Sequence, residues 1–298
     1  MGRLIARYLE QRAWRGHVLY PRSAEETRQV AKDHGSSANS CLIAVGGDGT
    51  VRQVAAGIIE SGGVSSLGVL PSGGGNDFYR MTGMPTVATE ALDALRHACP
   101  QRCDYGRVAW RQGESVRRMI FMNAAGVGLD AAVAGRAASL RLPGLLRYMV
   151  ATIVELMRWR PAAAEIRFDS EPASRHMRLL FAYAANGKYG GGGFKLAPRA
   201  SARDGMLDVC LVGNLSLSRA LVLFPRAIQG THEYAPEVRI VRAALVELLP
   251  NTPMPLHVDG DLLTNRASQI RIEIIPRGIS VLMASSGTAA RPPPARNR

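Results

Sequence analysis

The chain is short of lysine and cysteine, and it has no long apolar run. Of its 37 basic side chains only Lys32, Lys188 and Lys195 are lysine, so 34 are arginine; against 24 acids the formal net charge is +13. Such a balance favours phosphate-bearing partners, whether nucleotide, nucleic acid or anionic membrane, although GC-rich coding alone also enriches arginine. Four cysteines (Cys41, Cys99, Cys103, Cys210) are too few for a disulfide scaffold. Cys99 and Cys103 have no second Cys or His pair beside them, which argues against a zinc site. The longest apolar stretch, Gly144 to Met157, is broken by Arg147 and Glu155 and falls short of the roughly 20 residues of a spanning helix. The opening MGRLIARYLEQRAWRG has no long apolar segment and no small-residue cleavage site, so no secretory leader is expected and the chain reads as cytoplasmic. Neither GxxxxGK[ST] nor GxGxxG occurs, so the ordinary nucleotide-loop patterns do not apply.

What is present is ample core. A hydrophobic fraction of 47% with 20% charged residues excludes wholesale disorder, and 298 residues suit one large or two ordinary domains. Ser23-Ala-Glu-Glu26 reads as a capping box opening a helix that stops near Gly35. Short apolar runs at Cys41–Val45 and Leu67–Leu70 read as buried parallel strands, each followed by a glycine-rich loop, with helices over Val51–Glu60 and Thr86–Ala98. From about Tyr105 the pattern changes to strands at 118–124, 164–169, 177–185, 206–212, 238–241, 255–258 and 270–275. Helix returns only around Leu140–Trp159 and Leu217–Ile228. The fold class expected is therefore an N-terminal α/β domain, residues 1–104, followed by an antiparallel β-sandwich, residues 105–283. A disordered basic tail is expected over 284–298.

Two loops carry the chemistry of the first part. In Gly46-Gly47-Asp48-Gly49-Thr50 the glycines let backbone amides approach a ligand, and the helix that follows favours a phosphate. Asp48 would hold Mg²⁺ or a substrate hydroxyl, unless it merely caps the turn. The loop Pro71-Ser72-Gly73-Gly74-Gly75-Asn76-Asp77 ends the next strand, so both loops face one crevice, where ligands of open α/β sheets bind. In the second part, Ala185-Asn186-Gly187 with the run Gly190–Gly193 is a flexible rim or a plain hairpin loop. Asp204-Gly205-Met206-Leu207-Asp208 is a cation loop or a simple Asp-Gly turn. His257-Val258-Asp259-Gly260-Asp261 sets two carboxylates around a glycine, where one can accept a proton; His257 reads as an ordinary strand residue.

Taken in order, these pieces resemble the diacylglycerol kinase catalytic-domain superfamily, which includes sphingosine kinases and soluble bacterial lipid kinases. The resemblance runs from about Ser23 to Met283 and also takes in Cys103-Asp104-Tyr105-Gly106 and Asn123-Ala-Ala-Gly126-Val-Gly128-Leu-Asp130. It implies a two-domain lipid kinase with ATP between the domains and a lipid hydroxyl as acceptor. It also implies Mg²⁺ near Asp48 and Asp104, and a structural cation held by Asp204 with the carbonyls of Ser201 and Met206. Gly46, Gly47, Gly49, Thr50, Gly73, Gly74, Gly75, Asn76 and Asp77 would contact the nucleotide, and Asp259 or Asp261 would be the base. Its partners would be a lipid substrate at the inner membrane face and anionic phospholipid, with no nucleic acid and a homodimer as an option. Apart from the resemblance, Arg136, Arg141, Arg147, Arg158 and Arg160, interleaved with apolar residues, read either as an ordinary core-facing helix with a solvated basic face or as an interfacial element that docks on anionic lipid. Three departures stand out. The usual first strand with its Asn-Pro-x-x-Gly loop is absent, Gly74 replaces a threonine, and Asp261 is one methylene shorter than the usual glutamate. They are read either as a start placed too late or as a weakened or inactive nucleotide- or lipid-binding regulator; an NAD kinase-like phosphotransferase is the rival that GGDGT alone would favour.

Overall fold

The computed structural model describes residues 2–11, 15–142 and 144–285; the expected tail lies almost wholly outside the described residues. Helix α1 (Gly2–Gln11) precedes α2 (Ala24–His34), where the Ser23 hydroxyl accepts the Glu26 amide at 3.1 Å, as the capping box requires. Strand β1 (Cys41–Gly46) leads into α3 (Asp48–Glu60), and β2 (Ser66–Pro71) into the short α4 (Asp77–Met81) and then α5 (Ala88–Leu95). β1 and β2 are parallel, Cys41 opposite Ser66. Their core includes Ala44, Ile58, Leu67 and Leu92.

The second lobe begins on β3 (Cys99–Gln112) and β4 (Ser115–Phe121), then β5 (Ala124–Gly128), α6 (Leu129–Ser139) and α7 (Gly144–Arg158). There follow β6 (Ala162–Phe168), β7 (Arg175–Leu179), β8 (Phe181–Ala185), β9 (Leu207–Val212) and α8 (Leu217–Gln229). The chain closes with β10 (Val238–Ala243), β11 (Leu245–Pro250), β12 (Met254–Val258) and β13 (Asp261–Met283). The strand order β10-β9-β8-β5-β12-β13-β11-β6-β7 folds into two layers. Alternate residues such as Ala182, Val209 and Leu256 meet Ile166, Val246 and Ile272 in a shared core. The other face of β5, β8 and β9 carries Ala124, Tyr183, Ala185 and Cys210 and is roofed by α6 and α7. An α/β lobe followed by an antiparallel β-sandwich is what the sequence pattern implies.

The differences are instructive. The run 177–185 is two strands, because the chain changes layer at Leu180: β7 pairs with β6, whereas β8 pairs with β5 and β9. Segment 270–275 is the middle of a much longer β13, whose Ser280 and Val281 pair in parallel with Ser66 and Leu67 of β2. β3 and β13 thus run through both lobes, and position 104/105 lies inside one continuous strand.

Candidate active site

Three glycine-rich segments converge. A Cβ on Gly73 would stand 2.5 Å from the Gly47 Cα, so the two loops can touch only as glycines. Asn76, at φ 53°, closes the second loop: its Oδ1 accepts the Gly73 amide at 3.1 Å and its Nδ2 donates to the Gly73 carbonyl at 2.7 Å. Asp48 opens α3 and accepts the amides of Asp77 (3.2 Å) and Phe78 (2.9 Å) at the start of α4. Asp77 accepts the Gly192 amide at 2.8 Å. The segment read as a rim or hairpin loop is therefore fastened to the first lobe. On it, Asn186 is fully buried and donates to the carbonyls of Asp104 and Met122.

Burial pushes the carboxyls of Asp48 and Asp77 above the usual range, and the neighbouring charge of Asp48 helps carry Asp77 to about 7. One Asp77 oxygen, Oδ1, is buried without a hydrogen-bond partner; its nearest cation is Arg80, at 3.9 Å. Two crowded carboxylates with an orphan oxygen fit a divalent cation. Mg²⁺ commonly takes one or two carboxylates and fills its remaining positions with phosphate oxygens and water. Among the described residues no group of three or more His, Cys, Asp or Glu side chains is gathered as a metal cage.

Asp104 does not belong to this pair. It is fully buried, and its two oxygens accept the amides of Gly205 and Arg277, both at 2.7 Å, which braces the crossing of β3, β13 and the 201–206 turn. At the loop expected to hold a structural cation, the carboxylates are engaged within the protein. Asp204 accepts the Met206 amide at 3.1 Å and pairs with Arg242 at 2.5 Å, and the same guanidinium reaches Asp208 at 3.2 Å. A side-chain cation already neutralises the group beside Ser201 and Met206, so these residues do not fit a bound metal.

The two acids of the Asp-Gly-Asp turn face different ways. Asp259, at φ 49°, accepts three amides: Met122 on Oδ2 (3.0 Å), and Asn123 (2.9 Å) and Ala124 (3.1 Å) on Oδ1. Burial raises its pKa, while Arg52 and the amides pull it back. Asp261 instead points toward the start of α3, where its Oδ2 pairs with the buried Arg52 at 2.7 Å. Arg52 also donates to the Val258 carbonyl at 2.9 Å, binding the turn to the first lobe.

Asp48, Asp77 and Asp259 line one cavity whose remaining walls are mainly apolar, among them Leu129, Leu156, Phe194, Leu223 and Phe224. It lies between the β5–β8–β9–β12 face and α6, α7 and α8. On its floor the His257 Nδ1 accepts the Gly260 amide at 3.2 Å, so Nε2 carries the hydrogen and donates to Asp130 at 2.6 Å. Gly126 makes room for this pair, since a Cβ there would stand 2.0 Å from Asp130 Oδ2 and 2.2 Å from His257 Nε2. His257 is a strand residue, as expected, but one that faces the cavity.

The basic segment Arg136–Arg160 divides. Arg136 pairs with Glu155, and a guanidinium nitrogen of Arg147 lies 3.1 Å from the Cβ position of Gly74. Only Arg141, Arg158 and Arg160 of that set are exposed. Arg147 therefore borders the space that a threonine at position 74 would fill. Sequence reasoning left Arg52, Arg147 and His257 without a role at the site, although His257, like Asp130, lay inside a motif that pointed to it.

Residues 1–108 match the family model described as the diacylglycerol kinase catalytic domain, and residues 123–283 that of the YegS C-terminal NAD kinase beta sandwich-like domain. A "Diacylglycerol kinase" of Mycobacterium tuberculosis (strain ATCC 25618 / H37Rv) is 29% identical over 267 residues, 89% of this chain and 83% of that one. A "Probable lipid kinase YegS-like" of Xanthomonas euvesicatoria pv. vesicatoria (strain 85-10) is 30% identical over 240 residues, 79% of this chain and 76% of that one. A crystal structure of a diacylglycerol kinase from Bacillus anthracis str. Sterne superposes with a TM-score of 0.66 at 17% identity, covering 91% of this chain and 85% of that one. That likeness shows a shared fold.

Proposed function

The chain belongs to the diacylglycerol kinase catalytic-domain family with a YegS-type C-terminal domain, a family of lipid kinases, and on that premise we propose that it transfers the γ-phosphate of ATP to the hydroxyl of a long-chain lipid, a diacylglycerol or a sphingoid-type base. The observation that carries this reading is the carboxylate group set into the wall of a mainly apolar cavity. In this reading the nucleotide phosphates lie against the amides of Gly46–Thr50, at the N-terminus of α3, and against the second loop. The Arg147 guanidinium beside Gly74 adds positive charge where negative charge gathers. Asp48 and Asp77 would hold Mg²⁺, which when bound supplies further charge neutralisation. The lipid chain occupies the cavity and brings its hydroxyl to Asp259. Oδ2 of Asp259 accepts only one amide, so a lone pair remains to take the hydroxyl proton as the new O–P bond forms. Asp261 ties the turn to α3 through Arg52.

The test offers γ-labelled ATP and Mg²⁺ with long-chain diacylglycerol, sphingosine or NAD in parallel. Label is expected in a solvent-extractable lipid. Transfer to NAD alone, or to none of the three by folded protein, would sink the reading.

We place the α7–α8 face on the membrane. Leu146 and Met157 of α7 and Leu217, Leu221 and Val222 of α8 are exposed, while inward residues of the same helices line the cavity. Arg141, Arg158 and Arg160 supply attraction to anionic lipid. No described helix is long and apolar enough to cross a bilayer. Leu221→Glu together with Val222→Glu is expected to weaken sedimentation with anionic vesicles at least about tenfold, since each apolar side chain contributes roughly 1.5–3 kcal/mol when buried. The melting temperature should hold, because both side chains are exposed. Vesicle binding equal to the parent's would remove this face from consideration.

A further inference from the structure

A second feature lies apart from the cavity. Between α4, the Lys188–Tyr189 segment and the 199–203 segment is a cleft of about 300 Å³, lined by Arg80, Lys188, Arg199 and Arg203 and, among the described residues, by no acid. A volume of that order is at the lower end of small-ligand sites. Four cations from three separate segments repel one another unless counter-charge is supplied.

Two of them have partial counter-charge within the protein. Arg80 stands 3.9 Å from Asp77 and Arg199 is 3.2 Å from Glu233. The other two have none. Arg203 donates to the neutral side chain of Gln101, and Lys188 has no hydrogen-bond or ion-pair partner among the described residues. Asp204, the acid next to Arg203 in the chain, is spent on Arg242 and the Met206 amide. The walls are anchored: Ala200 and Ala202 are buried, the Ala202 carbonyl accepts the Asp104 amide at 2.7 Å, and Arg80 lies 6.0 Å from the centre of the Tyr189 ring. The cations are thus held on fixed backbone.

We propose that this cleft is a second anion site that takes a phosphate monoester, distinct from the phosphate handled by the glycine loops. Its chemistry is two cations without an ion-pair partner among the described residues, Lys188 and Arg203, flanked by two partly neutralised arginines, with the Ser201 segment as polar wall. An occupant bridges α4, which begins at Asp77, and the segment leading to Gly192, whose amide holds Asp77. Filling the cleft therefore steadies the contact between the lobes. The proposal does not depend on the acceptor being a lipid.

The test is titration calorimetry with inorganic phosphate and with dihexanoyl phosphatidate, run with saturating ADP, on the parent and on Lys188→Gln/Arg203→Gln. Both positions are exposed, so the fold should persist. The parent is expected to bind at least one probe, and the double variant to bind it at least about tenfold more weakly, as losing charge-assisted hydrogen bonds implies. ATP affinity, measured in parallel, should stay within about twofold, since neither side chain lines the glycine loops. Binding of the phosphatidate alone assigns the site to a lipid headgroup; binding of both probes assigns it to free phosphate as well. The proposal is overturned if the parent binds neither probe, if the double variant binds as the parent does, or if ATP affinity falls in step. None of these readouts uses turnover, so failure here is distinct from failure of the kinase reading.

Discussion

Asp259→Asn is expected to cut lipid phosphorylation by about 10²- to 10⁴-fold, the usual cost of losing a general base. The structure adds a second effect. Three amides point at the Asp259 oxygens, and an asparagine would turn its NH₂ toward at least one of them. A buried donor left facing a donor costs about 1–3 kcal/mol, so the variant should also melt earlier. Activity must therefore be expressed per folded molecule at a temperature well below the transition. Parent activity on that basis would remove Asp259 from the reaction. Asp261→Asn should be milder in rate, because Asp261 contacts Arg52 and the start of α3 rather than the cavity. If Asp261→Asn instead gives the larger rate loss while ATP binding is unchanged, the roles of the two acids are reversed.

The second large effect is expected from one methyl group. In Gly126→Ala the new Cβ would fall 2.0 Å from Asp130 and 2.2 Å from His257, so the floor of the cavity must rearrange. Displacement of about 1 Å near a reacting group can cost 10²-fold, and a loss of that order in kcat/KM for lipid is expected. The glycine loops are not touched, so ATP affinity should be preserved. A variant that turns over lipid normally would show that the acceptor does not reach this floor. Equal loss of lipid turnover and ATP binding would point to general disruption of the fold.

The local features of this site were legible because their chemistry is local. The Ser23 cap, the strands into GGDGT and GGGND, and the Asp-Gly-Asp turn all follow from neighbours a few residues away. What stayed hidden joins distant residues: Asp130 and His257 are 127 positions apart, Arg52 and Asp261 209. No periodicity encodes such pairs; the β5–β12 register and the docking of α3 create them. The contacts of Asp104 stayed hidden for the same reason, since its amide partners come from the 201–206 turn and from β13. The strand expected over 270–275 runs on past Pro276-Arg277-Gly278 to Met283. That tripeptide is a bulge in β13, with Arg277 at φ 52° presenting its amide to Asp104. Gly74 shows the limit from another side: the residue itself signals a lost hydroxyl, and only packing reveals the arginine of α7 beside it.

The long β13 has a consequence for how the chain is made. Ser66 and Ser280 share a hydroxyl contact and a strand register although they lie 214 positions apart. During synthesis at about 5–20 residues per second, the first lobe emerges roughly 10 to 40 s before the strand that completes its sheet. Until then one edge of β2 lacks its native partner, and an exposed parallel edge invites pairing with other chains. The sheet of the first lobe is therefore complete only when Ser280 and Val281 are in place. A ribosome stalled after β2 has emerged and before Ser280 and Val281 are made would hold a half-sheet with that edge open.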